Sequence, residues 1–117
     1  MTRGKRFLAV VLGVCLLIGS AGIALGATAR IRAKGERWRP AHTFIGRGDR
    51  VRWANPTSRV HDVKAYGGGW SFSTVLDPGE SAARRFRQRG TYKFRCVRHS
   101  AVVGGKCQGM CGLIHVS

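Results

Sequence analysis

The stretch Gly90-Thr91-Tyr92-Lys93-Phe94-Arg95-Cys96-Val97-Arg98-His99 decides how this chain folds. Tyr92, Phe94 and Cys96 alternate with Lys93 and Arg95, the period of two expected of a strand with one buried face. Gly90 punctuates its start. The apolar face therefore ends on a thiol, with an imidazole three residues further on.

Working outward, the same alternation recurs in short runs broken by turn residues. Arg30 to Lys34 puts Ile31 and Ala33 on one face, and Arg50 to Trp53 turns Val51 and Trp53 inward. His42 to Ile45, Val60 to Tyr66 and Gly112 to Val116 read as further strands. Ser81 to Arg87 is a poorer one, with Arg84 expected at an edge where its head reaches water. Glu36 to Pro40 reads as loop, and Gly46-Arg47-Gly48-Asp49, Gly67-Gly68-Gly69, Asp77-Pro78-Gly79 and Gly104-Gly105 as turns or loops. Seven or eight short strands at this spacing predict an all-β, antiparallel sandwich or barrel.

The first residues do not fit that pattern. Arg3, Lys5 and Arg6 precede an uncharged run from Phe7 to Leu25, and Ala27-Thr28-Ala29 follows. This is the three-part layout of a secretory signal. Residues 1–29 are expected to be a signal peptide and 30–117 one exported domain, periplasmic, extracellular or attached to the cell envelope. The apolar run is also long enough to serve as an uncleaved anchor.

The chain carries 21 Lys and Arg against 5 Asp and Glu. Only Arg3, Lys5 and Arg6 precede residue 30, so the domain itself is strongly basic. Such a field favours anionic partners: an acidic redox protein, or an anionic membrane or cell-wall surface. Basic and aromatic residues interleave in Arg50-Val51-Arg52-Trp53 and Tyr92-Lys93-Phe94-Arg95, but a strand with one solvated face explains this more simply than nucleic-acid binding. Cys96, Cys107 and Cys111 survive export, and an odd count calls for one disulfide and one thiol with another task.

Cys96 and His99, His61 on an earlier strand and Met110 across a glycine-containing loop make up the ligand set of a blue-copper electron-transfer site. Thiolate suits Cu(I), imidazole serves both oxidation states, and a weak thioether disturbs neither. The chain here resembles the cupredoxins, most closely their plastocyanin-like single-domain members. Gly48 to Asn55, His61-Asp62-Val63, Pro78-Gly79-Glu80-Ser81, Gly90 to His99 and Gly109 to Val116 carry the resemblance in order. It implies a Greek-key sandwich holding one type 1 copper ion through His61, Cys96, His99 and Met110. It implies one-electron transfer with a redox protein docking near His99. One domain of this size offers one copper site and no second cluster where oxygen could be reduced, so a monomeric carrier without enzymatic activity is expected. Asn55 and Asp62 would support the ligands. Asp62 stands where many members have Asn, and the His99–Met110 spacing exceeds that of ordinary plastocyanins. A Cys107–Cys111 disulfide would leave Cys96 as the single thiol and pin the segment carrying Met110.

Two other readings use the same residues. A copper carrier or buffer needs no redox partner. A structural zinc site could draw on Cys96, His99, Cys107 and Cys111, but it leaves His61 and Met110 without a task.

Overall fold

The computed structural model describes residues 26–117, and the segment assigned to the signal lies outside them up to residue 25. Among the described residues there are nine strands: β1 Thr28–Lys34, β2 Arg37–Arg39, β3 His42–Ile45, β4 Arg50–Ala54, β5 His61–Ala65, β6 Ser73–Leu76, β7 Ser81–Arg85, β8 Gly90–Val103 and β9 Lys106–Val116. They form two sheets, β2-β1-β4-β7 and β3-β9-β8-β5-β6. No helix of the described residues is long and apolar enough to cross a membrane.

The all-β sandwich expected from the alternation is present, with three differences of detail. Both sheets are mixed, because β1 runs parallel to β4 and β3 parallel to β9. Hydrophobic alternation reports which face a strand buries, and it carries no sign for strand direction. Two strands are additional. β2 lies where a loop was expected and is held by pairing with β1, Ala33 opposite Trp38, and β6 pairs with β5. Finally, β1 begins at Thr28, so its first two residues precede the expected boundary at residue 30. Thr28 and Ala29 pair with Arg50 and Val51, and the Ala27 amide donates to the Asp49 carboxylate at 2.9 Å.

The inner faces meet as the alternation requires. Ile31, Ala33, Trp38, Val51, Trp53, Val63, Leu76, Phe86, Phe94, Cys96, Met110 and Ile114 are essentially inaccessible to solvent. Trp38 and Trp53 both set ring edges against Phe94, which joins the two sheets through aromatic contacts. Arg84 does lie on an edge strand, but its guanidinium rests over Trp70 and Phe86 rather than in open water.

Candidate metal centre

Three strand segments bring the chemistry together. β8 and β9 form one long antiparallel ladder, in register from Gly90 opposite Val116 to Arg95 opposite Cys111. Pairing resumes with Ser100 opposite Gly109. Cys96, Val97, Arg98 and His99 therefore bulge out across from Met110 alone. A bulge of this kind re-aims side chains that a regular strand would send to alternate faces, and here it lets Cys96 and His99 turn toward one point. His61, the first residue of β5, supplies the third group.

The donor atoms converge. His61 Nδ1 and His99 Nδ1 are 3.2 Å apart, and Cys96 Sγ lies 3.8 Å from the first and 3.5 Å from the second. The three residues form a group whose ligand atoms all lie within 4.8 Å of one another and could hold a metal ion. His61, Cys96 and Met110 are buried, whereas the His99 side chain keeps 16% of its surface exposed. The group is thus closed on the core side and open at one imidazole edge. Burial lowers the pKa of His61, aided by the neighbouring His99. Burial raises that of the Cys96 thiol.

Asp62 ties the two ligand segments together. Its carboxylate accepts from the backbone amides of Val97 at 3.0 Å and Arg98 at 3.4 Å. It also accepts from the Cys96 thiol at 3.1 Å, while its own amide points at the same sulfur from 3.4 Å. The Asp62 side chain forms an ion pair with Arg98 at 3.5 Å. Asn55 acts one step further away: its amide donates to the carbonyls of Arg59 and Leu76, fixing the loop that delivers His61.

The segment between His99 and Met110 is a β-hairpin. Val103 pairs with Lys106, and Gly104 and Gly105 take positive φ values of 57° and 78°, as a tight two-residue hairpin turn demands. Cys107 and Cys111 are disulfide-bonded, with Cα atoms 6.1 Å apart. Four residues of extended strand would span about 13 Å, so β9 must fold back between them. Gly109 makes that fold, with a φ of 104°. A β-carbon at Gly109 would lie 2.4 Å from the His99 carbonyl oxygen. The disulfide leaves Cys96 as the free cysteine among the described residues and removes two of the four donors the zinc reading required.

Three further residues belong to the site, and sequence reasoning did not find them. Glu36, in the β1–β2 turn, places a carboxylate oxygen 3.6 Å from His99 Nε2 and is paired with Arg59. Arg37 donates to the Gly109 carbonyl at 3.0 Å. Their local sequence carries no motif; the pairing of β2 with β1 brings Glu36 and Arg37 to the ligands, and Arg59 lies in the loop that leads into β5. A groove of about 620 Å³ lined by Trp70, Arg84, Phe86, Arg89 and Tyr92 among others includes none of the ligand residues.

The sequence matches no family model and no curated protein, but the fold has many solved counterparts. A purple cupredoxin from Nitrosopumilus maritimus superposes with a TM-score of 0.59 at 21% identity, over 76% of this chain and 99% of that one. A reduced amicyanin variant gives 0.63 at 21% identity, over 83% and 88%. A copper-containing nitrite reductase from Thermus scotoductus gives 0.64 at 22% identity, but this chain spans only 22% of its length. The fold is that of the cupredoxins.

Proposed function

We propose that this protein is an exported one-electron carrier whose centre is a type 1 copper ion bound by His61, Cys96, His99 and Met110. The observation that carries the reading is the convergence of two imidazole nitrogens and one buried thiol on a common point, with a buried methionine alone opposite the bulge. Copper bound there would supply a Cu(I)/Cu(II) couple, and the mixture of soft and borderline donors suits both states. The chain's own part is to hold those donors still. Cys96 and His99 are fixed by the bulge and by Asp62, His61 by β5 and the Asn55-braced loop, and Met110 by a hairpin closed with a disulfide.

His99 is the part of the group that reaches solvent, and Val97, 42% exposed, stands two residues before it in the chain. A redox partner would dock over this edge, where an apolar contact can exclude water around the imidazole. The Cys107–Cys111 disulfide fits an oxidising compartment and so supports export. One domain with one such centre fits a carrier rather than an enzyme.

The test is a visible and EPR spectrum of the protein after addition of Cu(II). An intense thiolate-to-copper band with narrow hyperfine splitting, followed by reversible bleaching and recovery with a one-electron reductant and oxidant, is the expected result. A colourless protein, or a copper that dissociates on each reduction, would overturn the carrier reading.

A further inference from the structure

We infer that the outer face of the β2-β1-β4-β7 sheet is a docking surface for an anionic phospholipid bilayer. The strand registers assemble this face from residues that are scattered in the sequence. Arg30, Arg32 and Lys34 point outward from β1, because Ile31 and Ala33 between them are buried. Arg37 and Arg39 hold the corresponding positions of β2 around buried Trp38, with the Arg37 guanidinium reaching round to the Gly109 carbonyl, and Arg50 and Arg52 point outward from β4 around buried Val51 and Trp53. Arg85 holds the matching position on β7, half-buried, with its guanidinium donating to the Gly48 carbonyl.

All eight cations fall into cross-strand pairs of like charge: Arg32 with Arg39 and Lys34 with Arg37, Arg30 with Arg52, and Arg50 with Arg85. Like charges directly opposite one another in a sheet are destabilising. Among the described residues Asp49 acts on the array at Arg85, and its oxygens and the carboxylates of Glu36, Asp62 and Glu80 have partners of their own. Glu36 turns to Arg59, Asp62 to the ligand segments, Asp49 to the Ala27 and Gly46 amides, and Glu80 to the Asp77 amide in the β6–β7 turn. The side chains of Arg30, Arg32, Lys34, Arg39 and Arg50 have no hydrogen bond or ion pair among the described residues.

The geometry favours a bilayer over an acidic protein. Strands about 4.8 Å apart, with outward residues about 6.8 Å apart along each, give a regular lattice of charge. The remaining outward positions are Thr28, Ala54, Ser81 and Ala83, so the face has no aromatic or apolar anchor of the kind protein interfaces use. Phosphate headgroups need no such anchor, and basic residues near an anionic leaflet add attraction residue by residue. Chain continuity points the same way. The uncharged run Phe7 to Leu25 ends three positions before Thr28 opens β1, and β1 is a central strand of this face.

The inference does not depend on what the metal centre binds, so its failure and that of the copper reading are separable. The test uses the full chain reconstituted into nanodiscs of phosphatidylcholine, with or without phosphatidylglycerol, and reads arginine reactivity toward phenylglyoxal by peptide mass spectrometry. On the anionic discs Arg30, Arg32, Arg39, Arg50 and Arg52 react about fivefold or more slowly, and high salt removes the difference. Arg95 and Arg98, which lie on β8 in the other sheet, react equally on both discs. The double variant Arg32→Glu with Arg52→Glu loses the protection. Equal rates for the wild type on the two discs overturn the inference without reference to any variant. So does soluble polyphosphate protecting the detergent-solubilised chain as strongly as the anionic discs do, which would assign the face to a polymer.

Discussion

Two pairs of histidines in this molecule meet nitrogen to nitrogen at nearly the same distance, and they differ in where their lone pairs point. His42 Nδ1 and His115 Nε2 are 3.0 Å apart, with ring centres at 5.2 Å and planes within 10°. An imidazole nitrogen lies about 1.1 Å from its ring centre, so two coplanar rings meeting head-on reproduce these values, as one N–H···N hydrogen bond. His61 and His99 have a longer nitrogen separation, 3.2 Å, yet closer centres, 4.8 Å, with planes at 58°. Their nitrogens are bent away from each other toward a third point, beside the Cys96 sulfur. His42 and His115 sit on neighbouring strands of one ladder and satisfy each other at the surface. His61 and His99 come from a strand start and a bulge, and the buried frame turns both toward the Cys96 sulfur. Convergence, rather than proximity, marks the site.

The largest effect that tests this contrast is loss of the centre itself. Cys96→Ser should abolish the intense visible band completely, and His61→Ala should lower copper affinity at least about tenfold, the loss expected when a ligand or its support is removed. His42→Ala and His115→Ala should leave spectrum and stoichiometry unchanged. Copper titrations followed by absorbance and EPR check all four variants, and a band that persists in Cys96→Ser would break the comparison.

Asp62 comes next. Its carboxylate lies 3.1 Å from the Cys96 sulfur, and a negative charge there favours the oxidised centre. Asp62→Asn keeps an acceptor for the Val97 amide and removes the charge. The reduction potential should rise by roughly 50–150 mV, the order of magnitude for one charge near a site at an effective dielectric of about 20. Protein-film voltammetry reads it. An unchanged or lower potential would show that the Asp62 charge does not set it.

The disulfide should matter by a similar energy but for another reason. Replacing both Cys107 and Cys111 with Ala removes the constraint on the fold at Gly109 and should cost about 2 kcal/mol of stability. Thermal unfolding of the metal-free protein measures this, and copper binding should offset part of the loss because Met110 is drawn back.

Much of this frame is legible in the sequence, and what is not has a common cause. Alternation in Thr91–Cys96 gives the buried face, and Cys96-x2-His99 with Met110 gives the donors, because both signals are local. The same alternation places Val51 and Trp53 inward. β2 escapes notice because Arg37-Trp38-Arg39 is three residues long and precedes a proline, so only its pairing with β1 makes it a strand. Glu36 and Arg37 reach the site through that pairing and are invisible for the same reason. The hairpin reads as a loop because Gly104-Gly105 advertises the turn, whereas the flanking Ser100–Val103 and Lys106–Gly109 extend a ladder begun far away. The register lattice of arginines on the outer face is likewise a product of pairing: each strand shows its own alternation, and none shows its neighbour's charge.

Acidity and alkalinity both bear on the buried His61 and Cys96. Burial holds the His61 pKa below its ordinary 6.5. As pH falls through 6.5 the unfolded chain takes up a proton that the native site resists, so the metal-free protein loses stability on the acid side. Burial holds the Cys96 pKa above its ordinary 9.0. Above pH 9 the unfolded chain releases a proton that the native site retains, and stability falls again. Denaturant melts of the metal-free protein should therefore show a plateau between these limits. His61→Ala should flatten the acid limb, and Cys96→Ser the alkaline one.

The smallest effect belongs to the surface pair. Phe44 is 74% exposed, and its ring stacks on His115 with centres 4.5 Å apart, so the hydrogen bond and the aromatic contact share one imidazole. His115→Ala removes both and should cost about 1 kcal/mol, the sum of a partly exposed hydrogen bond and a solvent-facing ring contact. His42→Ala removes only the hydrogen bond and should cost less. Because the nitrogens are aimed at each other, a second equivalent of Cu(II) or Zn(II) should not move the His42 and His115 ring signals in NMR spectra. If a metal did enter between them, the collinear geometry would have to yield, and a head-on histidine pair could no longer be told from a binding site by the direction of its lone pairs.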